Sequence, residues 1–325
     1  NPVRANMTTT NIVMVALVWT AAAAALEMTT LAQPRTVAVT GATGRLGSRV
    51  VEKLAARGDH VRCLQRIDTA DSSSRSQCET PSQMRRGAHG HHRASSPGTV
   101  EYVRGDLADV ASLTTLLKGC SACVAAHGAT RRTKLRDLVP FSKPQDKDPT
   151  HAKQVNYRGV ENLLKAAKQT GCSRVVRVTG KGEAPFSIFS ILINGLGSMA
   201  KAYNYEGECL LRDCHDVDYT IVRPGVMRSA TTDDSSSSEK TKQEDKERLA
   251  LADDGKDLKV TPISHDAVAD LIVASLDAPN ARRATLTAMT TDDPNAPTTW
   301  APLLASVRAD ARVFPKTLLD RHRLA

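Results

Sequence analysis

The chain has 325 residues, of which 41% are hydrophobic and only 3% aromatic, and it carries a formal net charge of +9 at pH 7. This composition indicates a globular protein with an aliphatic core, and seven scattered cysteines argue against a disulfide framework. The basic clusters at 85–93 and 131–136 contain no aromatic residues and match no nucleic-acid module, so solvated loop charge is expected and nucleic acid is not an expected partner.

The first segment in chain order is apolar. Residues 11–26 end in a run of alanines, which fits the core of a signal peptide but is too short for a stable membrane span. No basic residue lies between Met7 and this run, and Met28 is a second possible start. Residues 1–33 are therefore predicted to be a targeting-like or disordered segment. Two compartments stay open: secretory or organelle-targeted if 7–26 are a signal, and cytoplasmic or organellar if the chain starts at Met28.

A glycine-rich turn follows the first predicted strand, residues 36–39, and leads into a predicted helix at 45–57. Strand, turn and helix in this order present backbone N–H groups and a helix N-terminus to a pyrophosphate. In this arrangement Gly41 permits the tight turn, Gly44 allows phosphates to approach the backbone, and Gly47 allows close packing of the helix.

Short apolar runs alternate with helical patterns over most of the remaining chain. Strands are predicted at 61–64, 100–103, 122–126, 174–179 and from 218, helices at 110–117 and 151–169, and a strand, a helix and a strand within 258–288. Polar stretches at about 69–98 and 229–248 are predicted flexible insertions. The pattern predicts an α/β fold with a doubly wound parallel Rossmann sheet and a small C-terminal substrate lobe, in one domain covering 34–325.

Metal sites are not predicted. Cys120 and Cys123 have C-x-x-C spacing but lie at the fourth predicted strand, which favours core packing. The histidines at 89–92 lie in the first polar insertion, where a solvated tract is expected.

The ordered motifs resemble those of the short-chain dehydrogenase/reductase superfamily, in its atypical and extended branches, which include epimerase/dehydratase-like and NmrA-like proteins. The resembling segments are 41–47, 60–66, 105–109, 155–163, 174–179, 218–225 and 263–269. The resemblance implies an NAD(P)-binding Rossmann fold. The cofactor-binding residues it implies are Gly41, Thr43, Gly44, Arg45, Leu46, Gly47, Arg66, Asp106, Leu107, Ala125 and Pro224.

Two arginines predict the choice of cofactor. An arginine at the end of the second strand binds the 2′-phosphate of NADP, whereas an acidic residue there would bind the NAD ribose. Arg66 holds that position and Arg45 lies within the glycine turn, so NADP(H) is expected in preference to NAD(H), unless both are plain surface arginines. Asp106 is expected to accept from the adenine amino group beside Leu107, or else to cap a turn.

The catalytic centre departs from the family pattern. The resemblance implies a serine or threonine after the fifth strand, matched by Thr179, and a tyrosine followed four residues later by a lysine. Tyr203 and Tyr205 lack that lysine, and the lysine of some atypical members aligns with Asn204 or Tyr205. Lys201 lies about one helical turn before the expected position.

The candidate catalytic residues are therefore Thr179, Lys201 and Tyr205, with a non-catalytic amphipathic helix as the alternative. The predicted function is an NADP(H)-binding atypical short-chain dehydrogenase/reductase that reduces a small molecule. A non-catalytic NADPH-sensing or assembly protein on the same fold is the alternative prediction. The substrate and the oligomeric state are not predicted.

Overall fold

A parallel β-sheet forms the frame of the computed structural model, which describes residues 35–66, 98–134, 144–180, 199–228, 247–253 and 261–311. The strands are β1 (Thr36–Thr40), β2 (His60–Gln65), β3 (Val100–Arg104), β4 (Ala122–Ala125), β5 (Arg174–Val178), β6 (Asp218–Pro224), β7 (Val226–Arg228), β8 (Leu249–Ala252), β9 (Pro262–Ser264) and β10 (Ala284–Thr290). The predicted segment 1–33 and nearly all of both predicted insertions lie outside the described residues.

The helices alternate with these strands. They are α1 (Arg45–Ala56), α2 (Val110–Leu117), α3 (Pro144–Lys147), α4 (Gly159–Thr170), α5 (Ala200–Asp213), α6 (His265–Asp277) and α7 (Ala301–Ala305). Within these ranges no helix is both long enough and apolar enough to cross a membrane.

The strand order of the main sheet within the described residues is β3-β2-β1-β4-β5-β6-β10-β8. Neighbouring strands are parallel except β10 and β8, and β7 pairs with β9 in a separate small sheet. The chain winds outward from β1 in one direction and from β4 in the other, so a crevice forms where their carboxyl ends diverge. The predicted doubly wound Rossmann-like fold is confirmed.

Helices cover both faces of the sheet. Helices α1 and α6 pack together on one face, and α2, α4 and α5 lie on the other. The core between the layers is mainly Val, Leu, Ile and Ala, as the low aromatic content predicts. Cys120 and Cys123 are both buried, and burial raises the pKa of the Cys123 thiol, so the packing interpretation is confirmed for both.

Two local predictions need correction. The helix predicted from residue 151 begins with a π-helical turn, Lys153–Arg158, before α4 continues to Gly171, whose φ of +72° ends it. Arg131, predicted to be a solvated loop charge, is buried instead. Its Nε donates to Asp148 at 2.8 Å, which supplies the charged partner that a buried guanidinium needs.

Candidate functional site

Gly41 forms the tight turn between β1 and the following loop. Its φ is +74°, and a β-carbon there would lie 2.6 Å from the backbone N of His127 and 2.8 Å from the Ala126 carbonyl carbon. The loop after β4 therefore lies directly against this turn. Both the backbone conformation and the lack of space require glycine.

Gly47 brings the first turn of α1 against the glycine turn. A β-carbon at Gly47 would lie 2.0 Å from the carbonyl oxygen of Gly41, so this glycine lets the helix, which also packs on β1, approach the turn closely. Gly44 is the residue before α1, and its N–H donates to the Gly41 carbonyl at 3.0 Å. A β-carbon at Gly44 would lie 3.2 Å from that oxygen, a less severe contact.

The N-terminus of α1 is suited to an anion. It has no side-chain cap among the described residues and no acidic residue in its first turn. At an uncapped helix N-terminus, backbone N–H groups without acceptors and the helix dipole attract phosphate. The backbone at Gly41 and Gly47 is packed too closely to admit a β-carbon, and this tight turn, which we call the phosphate cradle, lies beside an uncapped helix N-terminus. This arrangement fits the pyrophosphate of a dinucleotide.

The remaining predicted residues of the turn differ in exposure. Thr43 and Arg45 are exposed, whereas Leu46 is buried and packs in the core beneath the turn. Arg66 is also exposed and follows β2 directly. Because β1 and β2 are parallel, Arg66 lies at the same edge of the sheet as the glycine turn.

Asp106 and Leu107 form the turn between β3 and α2. The Asp106 Oδ1 accepts from the N–H of Ala108 at 2.8 Å, and the Leu107 carbonyl accepts from Asn162 Nδ2 at 3.0 Å. The turn-capping role foreseen for Asp106 is therefore present in the structure. Its contact with adenine stays a prediction.

Ala125 and Pro224 are buried at the carboxyl ends of β4 and β6. The Ala125 carbonyl accepts from Arg177 Nη1 at 3.1 Å, and Pro224 pairs with Ala288 of β10. Both residues thus lie at the edge of the sheet that carries the glycine turn.

The three candidate catalytic side chains differ in their surroundings. Thr179 Oγ1 donates to Glu208 Oε1 at 2.6 Å. Tyr205 is only 3% exposed, and burial raises the pKa of its phenol. Lys201 is half-buried in the first turn of α5. A raised phenol pKa is opposite to the acidification that proton donation by tyrosine requires.

Glu208 is the centre of a buried charge network. Its carboxylate accepts from Arg223 Nε at 3.0 Å and from Arg212 Nη2 at 3.0 Å, in addition to Thr179. Burial alone would raise the pKa of Glu208, but Arg223, Arg212 and Thr179 outweigh it and lower this pKa to about 2. The carboxylate is therefore ionised at neutral pH and accepts a hydrogen bond from the Thr179 hydroxyl.

His127 lies between β1 and α4. Its Nδ1 is 2.7 Å from Thr40 Oγ1, while its buried Nε2 has no hydrogen-bond partner among the described residues. Burial, with a smaller effect of Arg177, lowers the imidazole pKa, so His127 is neutral at physiological pH.

Four residues of this site were not predicted from the sequence: His127, Arg177, Glu208 and Arg223. Arg177 and Arg223 lie within buried strands and are each 1% exposed. A charge within a buried strand was the available signal for both, since such a charge needs partners from elsewhere in the fold. Glu208 carries no such signal, because acidic residues are common on the solvent face of helices.

Comparison with known proteins agrees with this geometry. A protein-family model described as NAD(P)H-binding matches residues 41–279, more than half of the chain. The chloroplastic protein TIC 62 of Pisum sativum is 28% identical over 195 residues, covering 60% of this chain and 33% of TIC 62. The chain spans between a third and about half of the length of the curated relatives that it matches.

Solved structures share the fold. A Bacillus halodurans protein assigned to the NAD-dependent epimerases/dehydratases has a TM-score of 0.56 at 16% identity, covering 84% of this chain and all of the other. A short-chain dehydrogenase/reductase of Veillonella parvula, solved in complex with NADP, has a TM-score of 0.52 at 13% identity, covering 82% and 98%. At these identities the likeness extends to the fold alone.

Proposed function

Because the chain belongs to the NAD(P)H-binding family, we propose that it is an NADP(H)-binding reductase of the atypical short-chain dehydrogenase/reductase kind, acting on a small molecule. The observation that carries the proposal is the phosphate cradle. Gly41 and Gly47 leave no room for a β-carbon, and α1 begins there without a side-chain cap. Such close backbone packing beside an uncapped helix is the arrangement that binds a pyrophosphate.

The proposed roles follow from position and chemistry. When bound, NADPH supplies a hydride to an electron-poor acceptor. Backbone N–H groups at the start of α1 bind the phosphates, while Arg45 and Arg66 bind the 2′-phosphate through charge-assisted hydrogen bonds. Asp106 retains a second carboxylate oxygen beyond the one that holds its turn, and this oxygen accepts from the adenine amino group.

The preference for NADP(H) is tested at the two arginines. Arg45→Ala and Arg66→Ala should each weaken NADPH binding by about 10- to 100-fold and leave NADH binding nearly unchanged, since a hydrogen bond between charged groups contributes about 1.5–3 kcal/mol. Arg49→Ala is the matched control, because Arg49 is exposed on the same helix beyond the turn. Calorimetric titration with both cofactors measures the effect. Equal losses for NADPH and NADH would assign neither arginine to the 2′-phosphate.

The proposed reduction does not use a tyrosine as the acid. Tyr205 is buried with a raised phenol pKa, and the Thr179 hydroxyl already donates its hydrogen bond to Glu208. Acceptors that take a hydride without proton donation from the protein, such as quinones, flavins and enones, therefore fit this site best. Their proton comes from water.

The bonded Thr179 hydroxyl and the buried Tyr205 also favour a second candidate function. A protein that binds NADPH for sensing or assembly needs the phosphate cradle but no free acid at the catalytic position. The Thr179–Glu208 hydrogen bond and the buried Tyr205 are what such a protein would show.

Turnover separates the two candidates. We expect the wild-type chain to oxidise NADPH with at least one acceptor from a panel of quinones, flavins, enones and aldehydes, measured as loss of absorbance at the NADPH band. Tyr205→Phe should keep most of this activity and the same pH–rate profile, because the phenol is not the acid. Binding of NADPH without turnover across the panel would favour the sensing function. If Tyr205→Phe lowers turnover by several orders of magnitude and also removes the basic limb of the pH–rate profile, a tyrosine acts as the acid instead.

A further inference from the structure

Arg177 is a buried cation that donates hydrogen bonds to uncharged acceptors. It lies in β5 and is 1% exposed. Its Nη1 donates to the carbonyl oxygens of Ala125, at 3.1 Å, and His127, at 2.5 Å, and its Nη2 donates to Asn204 Oδ1 at 3.2 Å. Arg177 thus connects the loop after β4 to helix α5.

The guanidinium stays charged in this position. Burial lowers the pKa of Arg177 to about 10, which still leaves it protonated at neutral pH. The carboxylate of Glu208 lies near enough to favour the charge, but its oxygens are bound by Arg223, Arg212 and Thr179. Arg177 therefore donates its hydrogen bonds to the peptide carbonyls at the end of β4 and just after it, and to Asn204.

The bond to the His127 carbonyl fixes the direction of the next N–H group. The described residues contain no cis peptide bond, and in a trans peptide the C=O and the following N–H point in opposite directions. Since the His127 carbonyl faces Arg177, the N–H of Gly128 faces away from it. Gly128 is exposed, and a β-carbon there would meet no atom within 4 Å.

Neighbouring N–H groups of this loop are already used. The N–H of Ala126 donates to the Thr40 carbonyl at 3.0 Å, and the N–H of Ala129 donates to Asn156 Oδ1 at 2.9 Å. The N–H of Gly128 has no acceptor among the described residues. The same loop lies against Gly41, so this outward-facing donor is next to the phosphate cradle.

We propose that the Gly128 N–H binds an anionic oxygen, and that Arg177 is the positioning residue that orients and polarises this donor through the His127 carbonyl. A cation bound to a peptide carbonyl strengthens the hydrogen bond that the following N–H can donate. The oxygen belongs either to a dinucleotide phosphate or to a carboxylate or enolate-like oxygen of the substrate. The assignment rests on the proposed function for the location of the site.

Amide NMR of the wild-type chain tests the donor directly. Titration with NADP⁺ and with inorganic pyrophosphate should move the Gly128 proton downfield, while the Ala129 amide, already bonded to Asn156, moves less. A Gly128 shift with acetate but with neither phosphate compound assigns the oxygen to a substrate carboxylate. An unmoved Gly128 amide with all three probes overturns the proposal. If the amides of Gly44 and Arg45 still respond to NADP⁺, the proposed function survives that failure.

Matched variants test the role of Arg177. Gly128→Ala keeps the N–H and should bind NADP⁺ within about twofold of wild type, whereas Gly128→Pro removes the N–H and should bind about tenfold more weakly. Arg177→Met should lose about as much, with partial recovery in Arg177→Lys, which keeps a charge. Calorimetry measures affinity, and near-ultraviolet circular dichroism checks the fold. Equal NADP⁺ affinity in the Ala and Pro variants contradicts a role of Gly128 at a dinucleotide phosphate. Together with a Gly128 amide that acetate does not move, it overturns the proposal, and these two measurements decide the outcome if Arg177→Met does not fold.

Discussion

Replacing Gly47 with alanine should reduce NADPH affinity by about 100-fold, which corresponds to losing one or two hydrogen bonds to a charged phosphate. The added β-carbon would lie 2.0 Å from the carbonyl oxygen of Gly41. Either α1 or the turn must then move by more than 1 Å, roughly the difference from a normal contact distance. Such a shift misplaces every N–H group at the start of the helix. We also expect a loss of about 1–3 kcal/mol in the free energy of unfolding, as is usual for overpacking.

Gly98→Ala is the matched control for this substitution. Its β-carbon would lie 1.8 Å from the carbonyl oxygen of Asp59, a comparable clash, but Asp59 precedes the start of β2, at the opposite edge of the sheet from the glycine turn. The control should therefore lose stability but keep NADPH affinity nearly unchanged in calorimetric titration. Wild-type affinity in Gly47→Ala would show that this turn does not bind the phosphates.

Replacing Glu208 with leucine should destabilise the fold by about 3–5 kcal/mol, because it leaves buried guanidinium groups without their counter-charge. Arg223 is 1% exposed and donates to both oxygens of the Glu208 carboxylate. Arg212 donates to one of them at 3.0 Å. Denaturant unfolding measures the loss. Glu52→Leu is the control, since Glu52 is exposed in a surface ion pair with Arg49.

The same carboxylate predicts a pH dependence of stability. The pKa of Glu208 is about 2 in the folded chain and near its ordinary value of 4.5 when unfolded. The unfolded state therefore binds more protons between these values, so the stabilisation is complete above pH 4.5 and is lost as the pH falls toward 2. At about 1.4 kcal/mol per pKa unit the loss is roughly 3 kcal/mol. This loss of stability at acid pH should be absent in Glu208→Gln. An equal loss in that variant between pH 4.5 and 2 would assign the effect to other groups.

Much of the fold follows from the sequence because burial and backbone conformation are local signals. The apolar run 61–64 predicts β2, observed as His60–Gln65, and α2 is observed at the predicted Val110–Leu117. Strand β8, Leu249–Ala252, was not predicted. It is four residues long, follows a polar stretch and owes its place to antiparallel pairing with β10. The π-helical turn was missed because the apolar periodicity continues through it.

The cofactor side of the site was more predictable than the catalytic side. The close packing of Gly47 on Gly41 arises within one short motif, so the spacing of the glycines reveals it. Thr179, in contrast, is held by Glu208, which is 29 residues further along the chain. Arg177 is bonded to a loop 50 residues earlier. Partners at such distances are set by the tertiary fold, and a single sequence does not identify them.

Calorimetric titration of the wild-type chain with NADPH and NADH tests the proposed dinucleotide site itself. We predict one binding site per chain, with NADPH bound at least tenfold more tightly than NADH, because only NADPH carries the 2′-phosphate that we propose Arg45 and Arg66 bind. Absence of heat from either cofactor, in protein shown to be folded, would contradict the assignment of the glycine turn as a dinucleotide site.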